Sequence, residues 1–304
     1  MRYSLPIALL LLLPQALLAR NSCDKVCLED LAARYRAAYV KHDPSAAPIA
    51  RDVRFSENNV GMKFPDGSWD AITAEVGPPL TFSDPVTGNV GVMTAVMMND
   101  TPGFLAVRLK VSRGKIVEIE HMLATRRGVS GPPTPFGEVS NFGHDPAFEQ
   151  VLAPAERVAR AEMIRQADAY FSTLARNDGT LRGGLRFSAS CHRTENGKEF
   201  AANGCDKAFL NGNYRFNERV RDREYFLVDE ERGLVFGRAF IDHKGVLDAY
   251  KHTDGTDARS PFREPHTWSV MELFKIKNGE LGPIEAVFNG VAYRTRTPWT
   301  KQPE

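Results

Sequence analysis

Two short clusters in the first half of this 304-residue chain could move a proton: Glu57-Asn58 and Glu120-His121. A carboxylate or imidazole buried beside apolar groups has its pKa drawn toward neutrality and can act as a general acid or base. Glu120 and His121 are adjacent, so on a strand they face opposite sides. In the stretch VEIEHMLA, Ile119, His121 and Leu123 share the more apolar face, while Glu118, Glu120 and Met122 share the other. His121 is therefore the acid–base candidate there, with Glu57 beside it and Asn58 as a group that polarises substrate. The plainer reading is a half-buried histidine on an outer sheet surface.

The second half repeats the Glu-Asn pair inside CHRTENG, which gathers His192, Arg193, Glu195 and Asn196. His192 and Glu195 are candidates for catalysis, Arg193 and Asn196 for substrate binding. Asn196-Gly197 is equally a turn. Tyr225 and Trp268 fall on predicted strands and could line a pocket for a flat ligand. A long insertion, residues 241–267, separates strands that the first half joins by MMNDTPG, and it carries His243, His252 and His266 with several aspartates. Such an insertion is either a lid or binding loop, with His243 touching the ligand, or a solvated excursion. No tight ligand spacing occurs in it, so no metal is expected.

These residues need elements to place them. Leu28, Leu31, Ala32, Tyr35, Ala38 and Tyr39 recur at helical spacing, as do Met163, Ile164, Ala167, Tyr170, Phe171 and Leu174. Asp43-Pro44 reads as the cap and first residue of a short second helix. VRFSENN is replayed by LRFSASCHRTENG, with a small insertion in the second copy. FSDPVTGNVGV and LVDEERGLVFG share an Asp-to-Gly turn. Each half ends on a strand pair about a tight turn, Arg113-Gly114 and Asn278-Gly279, the latter a strong hairpin signal. The chain is thus a tandem repeat: one unit over 23–128, a Pro/Gly-rich linker over 129–155, and a second unit over 156–299.

Residues 1–19 read as a secretory signal, with Arg2 ahead of LPIALLLLLPQALLA and Ala19 at a cleavage point. The mature chain is then secreted or periplasmic, and no later stretch predicts a membrane span. The 39 basic and 38 acidic residues leave a formal charge of +1, which argues against nucleic acid. An even cysteine count in an exported chain favours disulfides. Cys191–Cys205 closes a short local loop, leaving Cys23–Cys27. A pairing that ties the N-terminus to the second half stays open, and a zinc site fits the C-x3-C spacing poorly.

The order of helix, short helix, strand, short helix and long antiparallel strands resembles the NTF2-like, or SnoaL-like, superfamily. AAYVKHDPSAAPIARDVRFSENN resembles the opening of such a unit and LAVRLKVSRGKIVEIEHMLATR its close, twice over. The resemblance implies an α+β fold of two units, each a curved sheet wrapped on helices into a cone, paired as an internal pseudo-dimer that could be a monomer. It also implies a small apolar or aromatic ligand. The expected activity is cofactor-independent proton transfer, as an isomerase or a lyase (dehydratase); the alternative is a binding protein with the same pocket.

Overall fold

The computed structural model describes residues 23–201 and 204–299; the expected signal segment lies outside them. The chain is a mixed α+β protein with two six-stranded sheets and few helices.

In the first half, α1 (Lys25–Lys41) is followed by β1 (Ile49–Glu57), β2 (Val60–Met62), β3 (Ala74–Asp84), β4 (Asn89–Met98), β5 (Thr101–Ser112) and β6 (Lys115–Thr125). The sheet order is β2-β1-β6-β5-β4-β3, antiparallel except where β1 runs parallel to β6. The second half gives α2 (Arg160–Ala175), β7 (Arg193–Glu195), β8 (Lys198–Phe200), α3 (Asp206–Leu210), β9 (Arg219–Asp229) and β10 (Leu234–His243). Then come a small hairpin of β11 (Ala249–Lys251) and β12 (Asp257–Arg259), β13 (His266–Lys277) and β14 (Glu280–Val291). The second sheet, β8-β7-β14-β13-β10-β9, repeats the first position for position, including its one parallel pair. Strands β10 and β13 extend to His243 and from His266, so the excursion between them covers 244–265, shorter than the sequence boundary of 241–267.

Local chemistry explains the repeat. Asp84 and Asp229 accept backbone N–H bonds from Val86 and from Glu231 and Arg232, closing equivalent hairpins. Arg113-Gly114 and Asn278-Gly279 both hold two successive positive φ values, the twist that joins antiparallel strands tightly. The predicted apolar stripe of α1 is buried in full against the first sheet. On α2 the stripe is likewise buried except Ile164, which is half-covered at its edge. Both disulfides join the local partners, Cys23–Cys27 and Cys191–Cys205. The first bridge is possible because Cys23 precedes the helix cap, Asp24, whose side chain accepts from Cys27 N–H at 2.9 Å.

The sheet faces turned away from the helices pack on each other. Phe82, Met93, Phe104 and Met122 of one meet Phe226, Phe236, Met271 and Leu273 of the other. Phe82 and Phe236 lie edge to face at 5.1 Å. Within this seam Glu120 binds Arg108 at 2.9 Å and also binds Arg238, which reaches Glu224 at 2.6 Å. Among the described residues no helix is long and apolar enough to cross a membrane.

Candidate functional site

Register fixes which side chains share the concave face of each sheet. In the first unit Glu57, His121 and Val107 stand side by side across β1, β6 and β5. In the second, Glu195, Ala286 and Glu272 occupy the same three places across β7, β14 and β13. Residues directly opposite across a sheet share a face, so each trio points toward its helix. The titratable group beside this repeated glutamate stands on β6 in one copy and one strand further, on β13, in the other.

That shift decides where space exists. His121 is fully buried and surrounded by Tyr35 and Phe55. Its Nε2 meets the Tyr35 hydroxyl at 2.8 Å and its Nδ1 meets Ser68 Oγ at 3.2 Å. Ser68 donates its hydroxyl hydrogen to Glu57. With its hydroxyl hydrogen given to Glu57, Ser68 receives one from His121 Nδ1, and Nε2 is taken up by the Tyr35 hydroxyl, so neither ring nitrogen is open to a substrate. Burial raises the Glu57 carboxyl, but His121 and Ser68 more than offset this and hold it below the ordinary carboxylate range. His121→Ala should cost about 1–3 kcal/mol in denaturant unfolding, because the buried Tyr35 hydroxyl loses its partner.

In the second unit the small Ala286 replaces the imidazole, and a cavity of about 40 Å³ opens beside it. It is lined by Tyr170, Leu174, Arg193, Glu195, Tyr214, Asn217, Ile241, Trp268, Val270, Glu272, Ala286 and Phe288. That is room for a few waters, well short of the roughly 150 Å³ that takes a benzene ring. Its floor is charged: Arg193 pairs with Glu195 at 2.9 Å and lies over the Tyr214 ring at 5.2 Å. Arg193 Nε and Trp268 Nε1 are buried donors without a partner. Glu272 is pushed up to about 8, chiefly by burial, with Glu195 adding and Arg193 and Tyr170 opposing. At neutral pH it is a carboxylic acid poised to give or take a proton.

Of the residues expected from sequence, Arg193, Glu195 and Trp268 line this cavity. His121 and Glu57 belong to the closed network of the first unit. His192 is a correction: it is half-buried, paired with Asp145 at 3.1 Å, and does not line the cavity. Asn58 and Asn196 are corrections too. Each amide grips a backbone, Asn58 both N–H and C=O of Leu123, Asn196 both of Phe288. Asn196→Ala should therefore lower stability by about 1–3 kcal/mol in urea unfolding, as buried backbone groups lose partners. Tyr225 is turned to Asp168, bonding at 3.0 Å, and does not border the cavity. His243 closes the end of β10, just behind Trp268, at 4.6 Å between ring centroids.

Sequence reasoning missed Glu272, Tyr214 and Asn217 as lining groups. Glu272 left a signal: in VMELFKI it is the one charge on the face shared by Val270, Phe274 and Ile276.

The family described as Domain of unknown function (DUF8021) matches residues 156–288, the span that holds the cavity. No curated protein matches the chain. Among solved structures, an NTF2-like protein of unknown function from Cytophaga hutchinsonii is 14% identical, covering 32% of this chain and 89% of its own, with a TM-score of 0.27. A candidate ketosteroid isomerase from Kribbella flavida is 15% identical, covering 40% of this chain and 98% of its own, with a TM-score of 0.29. A de novo designed protein with a curved β-sheet is 17% identical, covering 33% and 88%, at 0.28. Likenesses at those scores add nothing to the strand order and register already described.

Proposed function

We propose that the chain is an exported, cofactor-independent enzyme of NTF2-like type, with its two units paired as an internal pseudo-dimer. Its active cavity lies in the second unit and its proton-transferring group is Glu272. The observation that carries this reading is a fully enclosed carboxyl, its pKa raised by burial, in the lining of a cavity that also holds two buried donors without a partner, Arg193 Nε and Trp268 Nε1. Arg193 and Trp268 would hold an acceptor oxygen of the substrate while Glu272 moves a proton, the combination an isomerase or lyase needs. Apolar walls from Leu174, Ile241, Val270 and Phe288 suit a small apolar or aromatic molecule. The first unit, whose equivalent space is filled by His121, serves as the rigid partner of the sheet seam. Two local disulfides agree with an oxidising compartment.

The alternative is a binding protein using the same cavity, favoured by the cavity's small volume. Small molecules that co-purify with the protein from its own host would be released, identified and offered back to it. Conversion to a new compound supports the enzyme; return of the molecule unchanged supports the binder and rejects turnover.

A further inference from the structure

The excursion carries Phe262 against Trp268, a residue of the cavity wall, without itself lining the cavity. Its ring lies 5.1 Å from Trp268, 4.6 Å from His243 and 4.8 Å from His266, edge-on to all three. His243 and His266 are opposite residues at the neck of the excursion, and their rings stack at 4.5 Å with 12° between planes.

Both imidazoles are fully buried, yet each has a nitrogen with no partner: Nδ1 of His243 and Nε2 of His266. The other nitrogens meet pure acceptors, Asn217 Oδ1 at 3.0 Å and the Glu264 carbonyl at 3.0 Å. Those nitrogens must carry the hydrogens, so the unpartnered ones present lone pairs. Burial pulls His243 down to about 3, with His266 adding and Asp242 opposing. His266 is lowered as well, chiefly by burial. Both rings are therefore neutral acceptors at ordinary pH. A buried acceptor left unpaired costs free energy, so the arrangement calls for a donor. Nearly parallel rings cannot both hold one metal ion in their planes, which leaves a hydrogen-bond donor as the group that fits.

We propose that the stacked His243–His266 pair is the far subsite of the cavity, reading a hydroxyl hydrogen of an aromatic substrate, and that Phe262 plugs it when no ligand is bound. This rests on the second-unit cavity being the ligand site. Neither imidazole lines the cavity as it stands, and Phe262 covers both, so a ligand ring reaches the pair only when Phe262 leaves. The excursion's hairpin is held at the tip by Thr253, which bonds the Leu210 carbonyl at 2.9 Å and the Asn211 carbonyl at 3.1 Å, and at the flank by Tyr250, which bonds the Asn213 carbonyl at 3.0 Å.

The test compares 4-methylphenol with p-xylene, nearly equal in shape, on the full mature protein bearing Phe262→Ala. Binding is followed by the ¹⁵N signals of the imidazoles. The phenol should bind about tenfold tighter than the xylene, the factor one buried hydrogen bond of about 1.4 kcal/mol supplies. It should shift the free nitrogens of His243 or His266, and His266→Phe should erase most of the preference. Should Phe262→Ala not fold, Phe262→Leu carries the same comparison. Equal or tighter xylene binding, no binding of either compound, or silent imidazoles with phenol bound would each overturn the subsite. The ionisation of Glu272, measured separately, decides whether the cavity reading falls with it.

Discussion

Glu272→Gln should reduce turnover by about a hundred- to ten-thousand-fold, the range for losing a positioned general acid–base group. Binding of a neutral ligand should stay within a few-fold, because glutamine copies the shape of the protonated carboxyl. The same group gives a signature in stability. Its folded-state pKa, about 8, lies above the ordinary 4.5. The folded state thus binds the extra proton between those values, and stability falls as pH rises through that window. Elsewhere on the chain, His243, lowered to about 3, acts in the opposite sense between its folded and ordinary values. Lys275, lowered from 10.5 to about 8, acts only above the window. The difference between wild type and Glu272→Gln, measured by denaturant unfolding from pH 4.5 to 8, isolates the carboxyl: it should favour the wild type less at each step upward. A flat difference would mean that Glu272 ionises normally.

The second large effect lies in the seam between sheets. Glu120→Ala should cost about 3–5 kcal/mol, because it leaves Arg238, fully buried, with only Glu224 to answer its charge. The double variant Glu120→Leu/Arg238→Met should recover most of the loss, since an apolar replacement of a buried ion pair is often neutral or better. Chemical denaturation of the three proteins checks both statements. If Glu120→Ala unfolds one sheet at lower denaturant than the other, the seam is less cooperative than its packing implies.

Much of the architecture was legible because it is written in local chemistry. The helix stripes, the Asp-to-Gly hairpins and the Arg-Gly and Asn-Gly turns each name their own conformation within a few residues. The repeated Glu-Asn pair was visible too, yet its meaning was not. The glutamates do occupy equivalent places on the two concave faces, while the asparagines close backbone joints between parallel strands. That difference depends on residues 65 and 92 positions away along the chain. His121 looked reactive for the same reason: the Tyr35 and Ser68 side chains that saturate it arrive from distant segments. Glu272 was overlooked because alternation shows that a strand has two faces without saying which is concave. Ala286 could not announce that its smallness leaves a cavity.

Glu272 decides the matter. With the glutamate carboxyl carbons labelled by ¹³C, the Glu272 signal, assigned by its absence from Glu272→Gln, would be followed from pH 4 to 10. A midpoint near 8 is expected for a carboxyl that holds its proton at neutral pH and can transfer it. A midpoint near the ordinary 4.5 would show a carboxylate already spent on Arg193, and the second-unit cavity would lose its proton-transferring group.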